Sequence, residues 1–565
     1  MIGRERNFWR ICFCVVLGMV MPVSVLAQQF QTTSEQANFE VYTSYEEMME
    51  YLQEVQAGST EMLLGSYGKT LEGRDQPYMI FSRPLITKPT EALASGKPIV
   101  LVASNIHGNE RTIRESVLIL VRQLATPGSD MNKLLDDLVI LVVPSINPDG
   151  FVRNTRGNAL GLDLNRDYIK LEQPTLQNFV QNILQPWCPH VFLEGHNGGA
   201  FPYNVTYQGP THASSDPRIT ELCDREILPF VKAELEANDF RGWYYGSARG
   251  DDRKTWSAAP FEPRFSYNYA GLINCIGVLY ESPGQTRSDG ALSGLVACRA
   301  LVKYCAQNPQ KIKRAVAQAQ QQTIELGQRA QGEFPVQMEI GPRDYKVSYE
   351  VGEGQGEDRK IVTITDAEIL LEPIHTKTRS RPYAYILEAR AARAVQMLLR
   401  HNITVEVLRE DTEIDVEAYV MTGIEHRAQY DHPASVKVTC ADETVKRTQT
   451  FPAGTYIIRT GQTLGRLACQ MLEPETDDNV VTWNTMDALL PALPRQPDAA
   501  APATAAAGQS QAQRVGQRAG QRTGRAGRTG APPTGMQRTR QTREPIIPIF
   551  KLMKPIPLPT QIFKN

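Results

Sequence analysis

No two cysteines in this chain have CxxC spacing, so the sequence carries no sign of a thiolate zinc site or a thioredoxin-like redox centre. Cys12 and Cys14 fall within the first 27 residues. The other seven, Cys188, Cys223, Cys275, Cys298, Cys305, Cys440 and Cys469, are odd in number and scattered, which is not a disulfide framework. Cys275 lies in an apolar run and is expected in the core. Cys298 and Cys305, on an expected helix, could be core or one end of a bridge. Long apolar runs are also scarce: only Ile11 to Val25 comes near membrane length, which excludes a multi-span transporter or channel. The 41 glycines and 37 prolines follow no period, which excludes collagen. Histidine is rare, with eight residues in 565, so where each one falls carries information.

What is present fits a soluble, core-forming protein. Hydrophobic residues make up 41% and charged residues 22%. At roughly 150 residues per domain the chain has room for three or four units. Arg4, Arg6 and Arg10 precede the apolar run, and Val25-Leu26-Ala27 offers small residues at a cleavage position. This predicts a signal peptide over 1–27, a secreted or periplasmic chain and no transmembrane anchor after cleavage. An uncleaved anchor is the alternative.

The net charge of −2 conceals an asymmetry. Residues 501–565 hold eleven Lys/Arg and one acidic residue, Glu544, while residues 28–500 carry a net −14. Residues 498–542 have almost no apolar mass to offset the entropy of ordering, which predicts a disordered basic low-complexity tail. Such a tail suits the acidic body of the chain or an anionic cell-envelope surface. Without interleaved aromatic residues it predicts no nucleic-acid partner. Beyond it, residues 543–565 contain Pro545-Ile-Ile-Pro-Ile-Phe-Lys-Leu-Met553, read as an apolar segment that docks on the body, with a membrane-touching or partner-binding tail as the alternative.

Between 40 and 330 short apolar runs alternate with helical patterns. Strands are expected at 61–67, 78–82, 98–103, 138–143, 191–194 and 276–280. Helices are expected from Tyr45 and over 110–125, 173–185, 218–236 and 291–304, the last extended by Ala315–Gln328. This is an α/β fold, a mixed, mostly parallel sheet flanked by helices. Ligands in such folds sit beyond the C-terminal ends of the strands. Four of these strands run directly into polar segments there: Asn105-Ile-His107-Gly-Asn-Glu110, Asn147-Pro-Asp-Gly150, Gly195-His196-Asn-Gly-Gly199 and Glu281-Ser-Pro-Gly284.

His107 and Glu110, three apart at a strand-to-helix junction, can converge on one ion, and His196 can close the set from a neighbouring strand end. Two imidazoles and one carboxylate are the donors of a catalytic zinc that keeps a position for water. His190 and His212 read as core or surface residues, His212 with some chance of lining the cleft. His375, His401, His426 and His432 have no ligand-like spacing. Glu281 ends an apolar strand, where a carboxylate is costly unless a partner or a function holds it; beside a metal-activated water it can act as base and then acid. The loop Arg153-Asn-Thr-Arg156 to Asn165-Arg166 is rich in groups that bind a carboxylate. A zinc hydrolase with a carboxylate clamp is the outline of an exopeptidase.

These motifs resemble the M14 family of zinc carboxypeptidases, the carboxypeptidase A-like fold, from about 45 to 330. His107-Gly-Asn-Glu110 resembles the family's HxxE pair and His196 its third ligand. Asn147-Pro-Asp-Gly150 followed by Gly161-Leu-Asp-Leu-Asn165-Arg166 resembles its most specific signature. The resemblance implies one Zn2+ ion, with Asn165 and Arg166 on the C-terminal carboxylate of a peptide or protein. It implies Arg156 on the oxyanion, with Arg153 the second choice and a further substrate contact, and Glu281 as general base. Tyr267 and Tyr269 are candidates for the family's mobile tyrosine, with Tyr269 placed in the substrate set. Glu194 can support His196 from behind, since residues i and i+2 share a strand face. The sequence departs from pancreatic-type members in its shorter segment before Asn165-Arg166, and in Asn109 where those carry Arg.

The expected organisation is therefore a signal peptide (1–27), a catalytic domain (28–334), a smaller β-rich or α+β accessory domain (335–497), the basic tail (498–542) and the docking segment (543–565). The accessory region shows strand signals at 345–351, 360–366, 381–387, 403–408 and 435–451, with a helix over 389–401. The leading expectation is a zinc metallocarboxypeptidase. A zinc-dependent amidase or cell-wall peptide hydrolase of the same fold is the alternative enzyme. An inactive envelope-binding protein is the non-enzymatic one.

Overall fold

A computed structural model describes residues 30–258, 260–354, 358–429, 431–493 and 544–563. The expected signal peptide and basic tail lie outside these described residues. After a single helical turn at Thr33–Gln36, helix α1 (Tyr45–Ala57) is closed at its start by a reciprocal capping box between Ser44 and Glu47. Ten strands follow before residue 290: β1 (Met62–Lys69), β2 (Asp75–Phe81), β3 (Ile99–Ser104), β4 (Val139–Val143), β5 (Val191–His196), β6 (Val205–Gln208), β7 (Gly242–Tyr244), β8 (Gly246–Arg249), β9 (Thr255–Ala258) and β10 (Ile276–Glu281). All but β8 and β9 join one eight-stranded sheet in the order β1-β2-β4-β3-β5-β10-β6-β7.

The sheet is mixed with a parallel centre. β4, β3, β5 and β10 run parallel, while β1–β2, β2–β4 and β10–β6 are antiparallel. Every residue of the four central strands is buried, which explains their unbroken apolar runs: both faces are covered. Period-two alternation divides the faces. Val100 and Val102 pack with α1, α2 (Thr112–Ala125) and α3 (Arg287–Gln307). Ile99 and Leu101 pack on the other side with the helix at 174–187 and with Tyr385, Leu398 and Met471 from the C-terminal half.

The helix expected to continue beyond 304 is instead two. α3 ends at Asn308, whose φ of −126° and ψ of 42° lie outside the helical range, and α4 (Pro309–Arg329) starts on the proline. The ring of Pro309 disfavours helical geometry at the residue before it.

Two further sheets complete the fold. β11 (Glu333–Pro342), β12 (Val347–Glu353) and β13 (Lys360–Ser380) combine with β8 and β9 in the order β11-β13-β9-β8, with β12 on β13. That sheet draws strands from both sides of residue 334. The third contains β14 (Ala384–Leu387), β15 (Glu406–Leu408), β16 (Thr412–Gln429), β17 (His432–Cys440), β18 (Val445–Phe451), β19 (Tyr456–Arg459), β20 (Ile546–Leu552) and β21 (Thr560–Ile562). β20 lies between β14 and β16, antiparallel to both, and is an interior strand, whereas β21 stands at the sheet edge beside β15. Its Lys551 is buried, with Nζ 2.9 Å from Glu473 and 2.9 Å from the Tyr419 hydroxyl. Such a cation is tolerated inside because it is paired and hydrogen-bonded. All seven cysteines among the described residues are free, and Cys275, Cys298 and Cys305 are core residues.

β20 therefore contributes core and not surface. Ile549→Ala is expected to destabilise the folded chain by about 2–4 kcal/mol in urea unfolding. Ile562→Ala, at a side chain 64% exposed, should stay within about 0.5 kcal/mol. Equal effects would contradict the interior position of β20.

Candidate metal centre

The site forms where β3, β5 and β10 end side by side. After β3 the chain turns through Asn105, whose backbone is left-handed (φ 58°). Its side-chain amide donates to the carbonyls of His107, Gly108 and Glu110 at 2.9, 3.1 and 2.9 Å. This fixes the loop before any ligand binds. Gly108 packs against Gly150 of the next strand-end loop so closely that a Cβ would lie 1.9 Å from the Gly150 carbonyl carbon. The glycines of both motifs are therefore packing requirements. Asn147 completes the contact, donating to Ile106 and Gly157 carbonyls and accepting from the Gly150 amide.

His107, Glu110 and His196 converge, with one ligand atom from each lying within 4.8 Å of the others. Nδ1 of His107 is 2.8 Å from one Glu110 oxygen, and Nδ1 of His196 is 2.9 Å from the other. The two Nδ1 atoms are 3.1 Å apart. Each outer nitrogen meets a carboxylate: His107 Nε2 is 3.1 Å from Asp163 and His196 Nε2 is 2.9 Å from Glu194. A carboxylate behind an imidazole holds the proton on the outer nitrogen and leaves the inner lone pair free. Two inner lone pairs and a carboxylate then face one point, a donor set that a divalent cation satisfies. The field supports the same conclusion. Burial opposes a charged His196, yet Glu110 and Glu194 raise its pKa well above the ordinary imidazole range. The pocket favours positive charge, and these residues fit zinc.

Glu281 stands opposite His196 in the parallel β5–β10 register. It is 7% exposed. Burial pushes its carboxyl up to about 8; His196 opposes the shift and Glu110 adds to it. Gly198 makes room for it, since a Cβ there would fall 2.5 Å from a Glu281 oxygen. Arg156 reaches the same point. Its Nε donates to Asp163 at 3.0 Å, and its Nη1 to Glu110 at 3.2 Å. Asn165 places Nδ2 3.5 Å from His196 Nε2, and its buried Oδ1 has no partner. Arg166 donates to the Asn165 carbonyl at 2.9 Å, lies 3.8 Å from the Asp163 carboxylate and stacks over the Phe265 ring, half-buried.

Three expected residues are elsewhere. Arg153 is turned to the surface, bonded to Glu72 and to the Ala159 carbonyl. Arg153 closes the short helix Pro148–Arg153, and its contacts with Glu72 and Ala159 hold it apart from the ligand cluster that Arg156 reaches. Tyr269 is fully buried, its hydroxyl 2.8 Å from Nδ1 of His401, so it cannot meet a substrate. Tyr267 is also buried and donates to the Pro260 carbonyl. The tyrosine beside the site is Tyr245, whose ring borders Gly198; burial and then the charges of Glu281 and Glu110 push its hydroxyl up to about 12. The aromatic run Trp243-Tyr244-Tyr245 gave no chemical signal. Asp163 could have been noticed, since it stands two residues before Asn165 in a quoted motif. His190 and His212 are structural: Nδ1 of each accepts a backbone amide, from Ile99 and Ser214.

Residues 48–236 match the family described as zinc carboxypeptidase. The chain is 27% identical over 448 residues to Carboxypeptidase 2 of Trichophyton tonsurans, covering 74% of this chain and 79% of that protein. It is 29% identical over 220 residues to Carboxypeptidase E of Caenorhabditis elegans, covering 35% and 42%. Among solved structures, a metallo-carboxypeptidase from Burkholderia cenocepacia aligns with a TM-score of 0.38 and 22% identity, over 47% of this chain and 70% of that one.

If the Asp163 carboxylate holds His107 for the metal, Asp163→Asn should weaken zinc binding by about 10- to 100-fold in competition with a chelator. Affinity within about twofold of the unsubstituted chain would contradict this role.

Proposed function

We propose that this chain, a peptide hydrolase belonging to the M14 zinc carboxypeptidase family, releases the C-terminal residue of peptides or proteins with one zinc ion held by His107, Glu110 and His196. The observation that carries this reading is the convergence of those three side chains with Glu281 on the adjoining strand end. When bound, zinc supplies Lewis-acid polarisation of the scissile carbonyl and acidifies a water. Glu281 is the general base: as the carboxylate it accepts a proton from the attacking water and, once protonated, returns it to the leaving amine. Arg156, anchored through Nε to Asp163, turns Nη1 toward the ligand cluster and is assigned to the oxyanion. Arg166 and Asn165 are assigned to the substrate's terminal carboxylate. The stacking that orients the Arg166 guanidinium over Phe265, close to the Asn165 amide nitrogen and the ligand cluster, supports this. Tyr245 borders the same space and replaces Tyr269 as the aromatic contact.

The basic n-region and Val25-Leu26-Ala27 support export, and among the described residues no helix is long and apolar enough to cross a membrane. A secreted or periplasmic location is proposed on the basic n-region, the apolar run and the small residues that follow it. A role for the basic tail at an anionic envelope surface is proposed on its composition.

Chelation should abolish hydrolysis of a C-terminal peptide panel, and added zinc should restore it. Glu281→Gln should lower kcat by at least about 100-fold at full zinc occupancy; unchanged turnover would remove Glu281 as base. Arg166→Ala should reduce kcat/KM far more for free-acid than for amidated peptides. Equal losses on both would remove the carboxylate clamp and favour the amidase reading, which a muropeptide panel tests directly.

A further inference from the structure

The segment Asp163–Glu172, which supplies Asp163, Asn165 and Arg166 to the site, is gripped from outside by the C-terminal half of the chain. His401, fully buried just beyond the helix at 392–399, places Nε2 2.7 Å from the Ile169 carbonyl, and its other nitrogen meets Tyr269. Arg400 donates to the Lys170 carbonyl at 2.9 Å. At the turn between β16 and β17, Asp431 accepts the backbone amide of Asp163 through Oδ2 at 2.6 Å. Asp431 sits in the left-handed region, φ 58°, where Asp, Asn and Gly are tolerated and most residues are strained.

The gripped segment supports both imidazoles. Asp163 receives His107 at one oxygen and Arg156 at the other. Tyr168 donates to Glu194 at 2.7 Å, and Glu194 meets His196. A metal ligand is held as firmly as the groups behind it. A shift of the Asp163 backbone moves its carboxylate, and with it the ring of His107 and the guanidinium of Arg156.

We infer that Asp431 is a positioning residue for the metal centre, acting on His107 and Arg156 through Asp163. The third sheet then sets zinc affinity and oxyanion geometry, a task beyond covering the core. This rests on His107 being a zinc ligand. Zinc uptake by the unsubstituted chain tests that reading, and the difference between variants tests this one.

The test uses the full chain with Asp431→Gly, Asp431→Asn and, as a control on the same hairpin, Arg427→Ala, whose side chain among the described residues bonds to Glu425 on its own strand. Asp431→Gly keeps the backbone conformation and removes the acceptor, whereas Asp431→Asn keeps both. The readouts are zinc affinity by chelator competition and the separate kcat and KM for a free-acid peptide. Asp431→Gly should weaken zinc binding by about 3- to 10-fold and lower kcat more than it raises KM. Asp431→Asn and Arg427→Ala should lie within about twofold of the unsubstituted chain. Unchanged zinc affinity in Asp431→Gly would overturn the proposal. So would a loss in Asp431→Gly that Asp431→Asn shares, because the acceptor would then not be what matters.

Discussion

The carboxylate of Asp163 is the contact on which the rest of the site depends. It is 2% exposed, and a buried carboxylate is costly unless it is paired and hydrogen-bonded. Its partners are the imidazole of His107, the guanidinium of Arg156 and the backbone N–H of Asn165, so its bonds fix two functional side chains and the backbone that carries a third. Glu194 does the same for His196 from the strand that carries it. The demand for charge compensation orders these groups before any ligand arrives, which is the condition for a metal or a transition state to meet preset partners.

The sheet explains why such distant residues meet. In a parallel centre every strand delivers its C-terminal end to the same edge. His107 and Glu110 follow β3, His196 ends β5 and Glu281 ends β10. The parallel register sets Glu281 beside His196. The close approach of Gly108 to Gly150 joins the loops after β3 and β4, so the long segment leading to Arg156 and Asp163 starts from a fixed point. The opposite face of the sheet is covered by the C-terminal half, and that cover continues as far as Asp431 and the metal centre.

The parts legible in the sequence were those written locally. Apolar runs ending in His, Glu or Asn marked the central strands and the candidate ligands, because a buried strand and a polar strand end leave a one-dimensional signal. Tyr245 was not legible, because its nearness to Glu281 depends on how β6 and β7 pair. Tyr269 misled for the matching reason: its sequence neighbourhood is right, but its side chain points into the core toward His401, a residue 132 positions away. Arg153 and Arg156 could not be ranked by spacing alone, and their different contacts separate them. Asp431 lies 268 positions from its partner, and the interior position of β20 is equally a property of the third dimension.

X-ray absorption at the zinc edge on the purified full chain tests the central claim most directly. The account predicts one zinc per chain with two imidazole nitrogens and one carboxylate at about 2.0–2.2 Å, and a light atom completing the shell. The spectrum should lose one imidazole in His196→Ala. A sulfur neighbour, or an imidazole count unchanged in that variant, would contradict it.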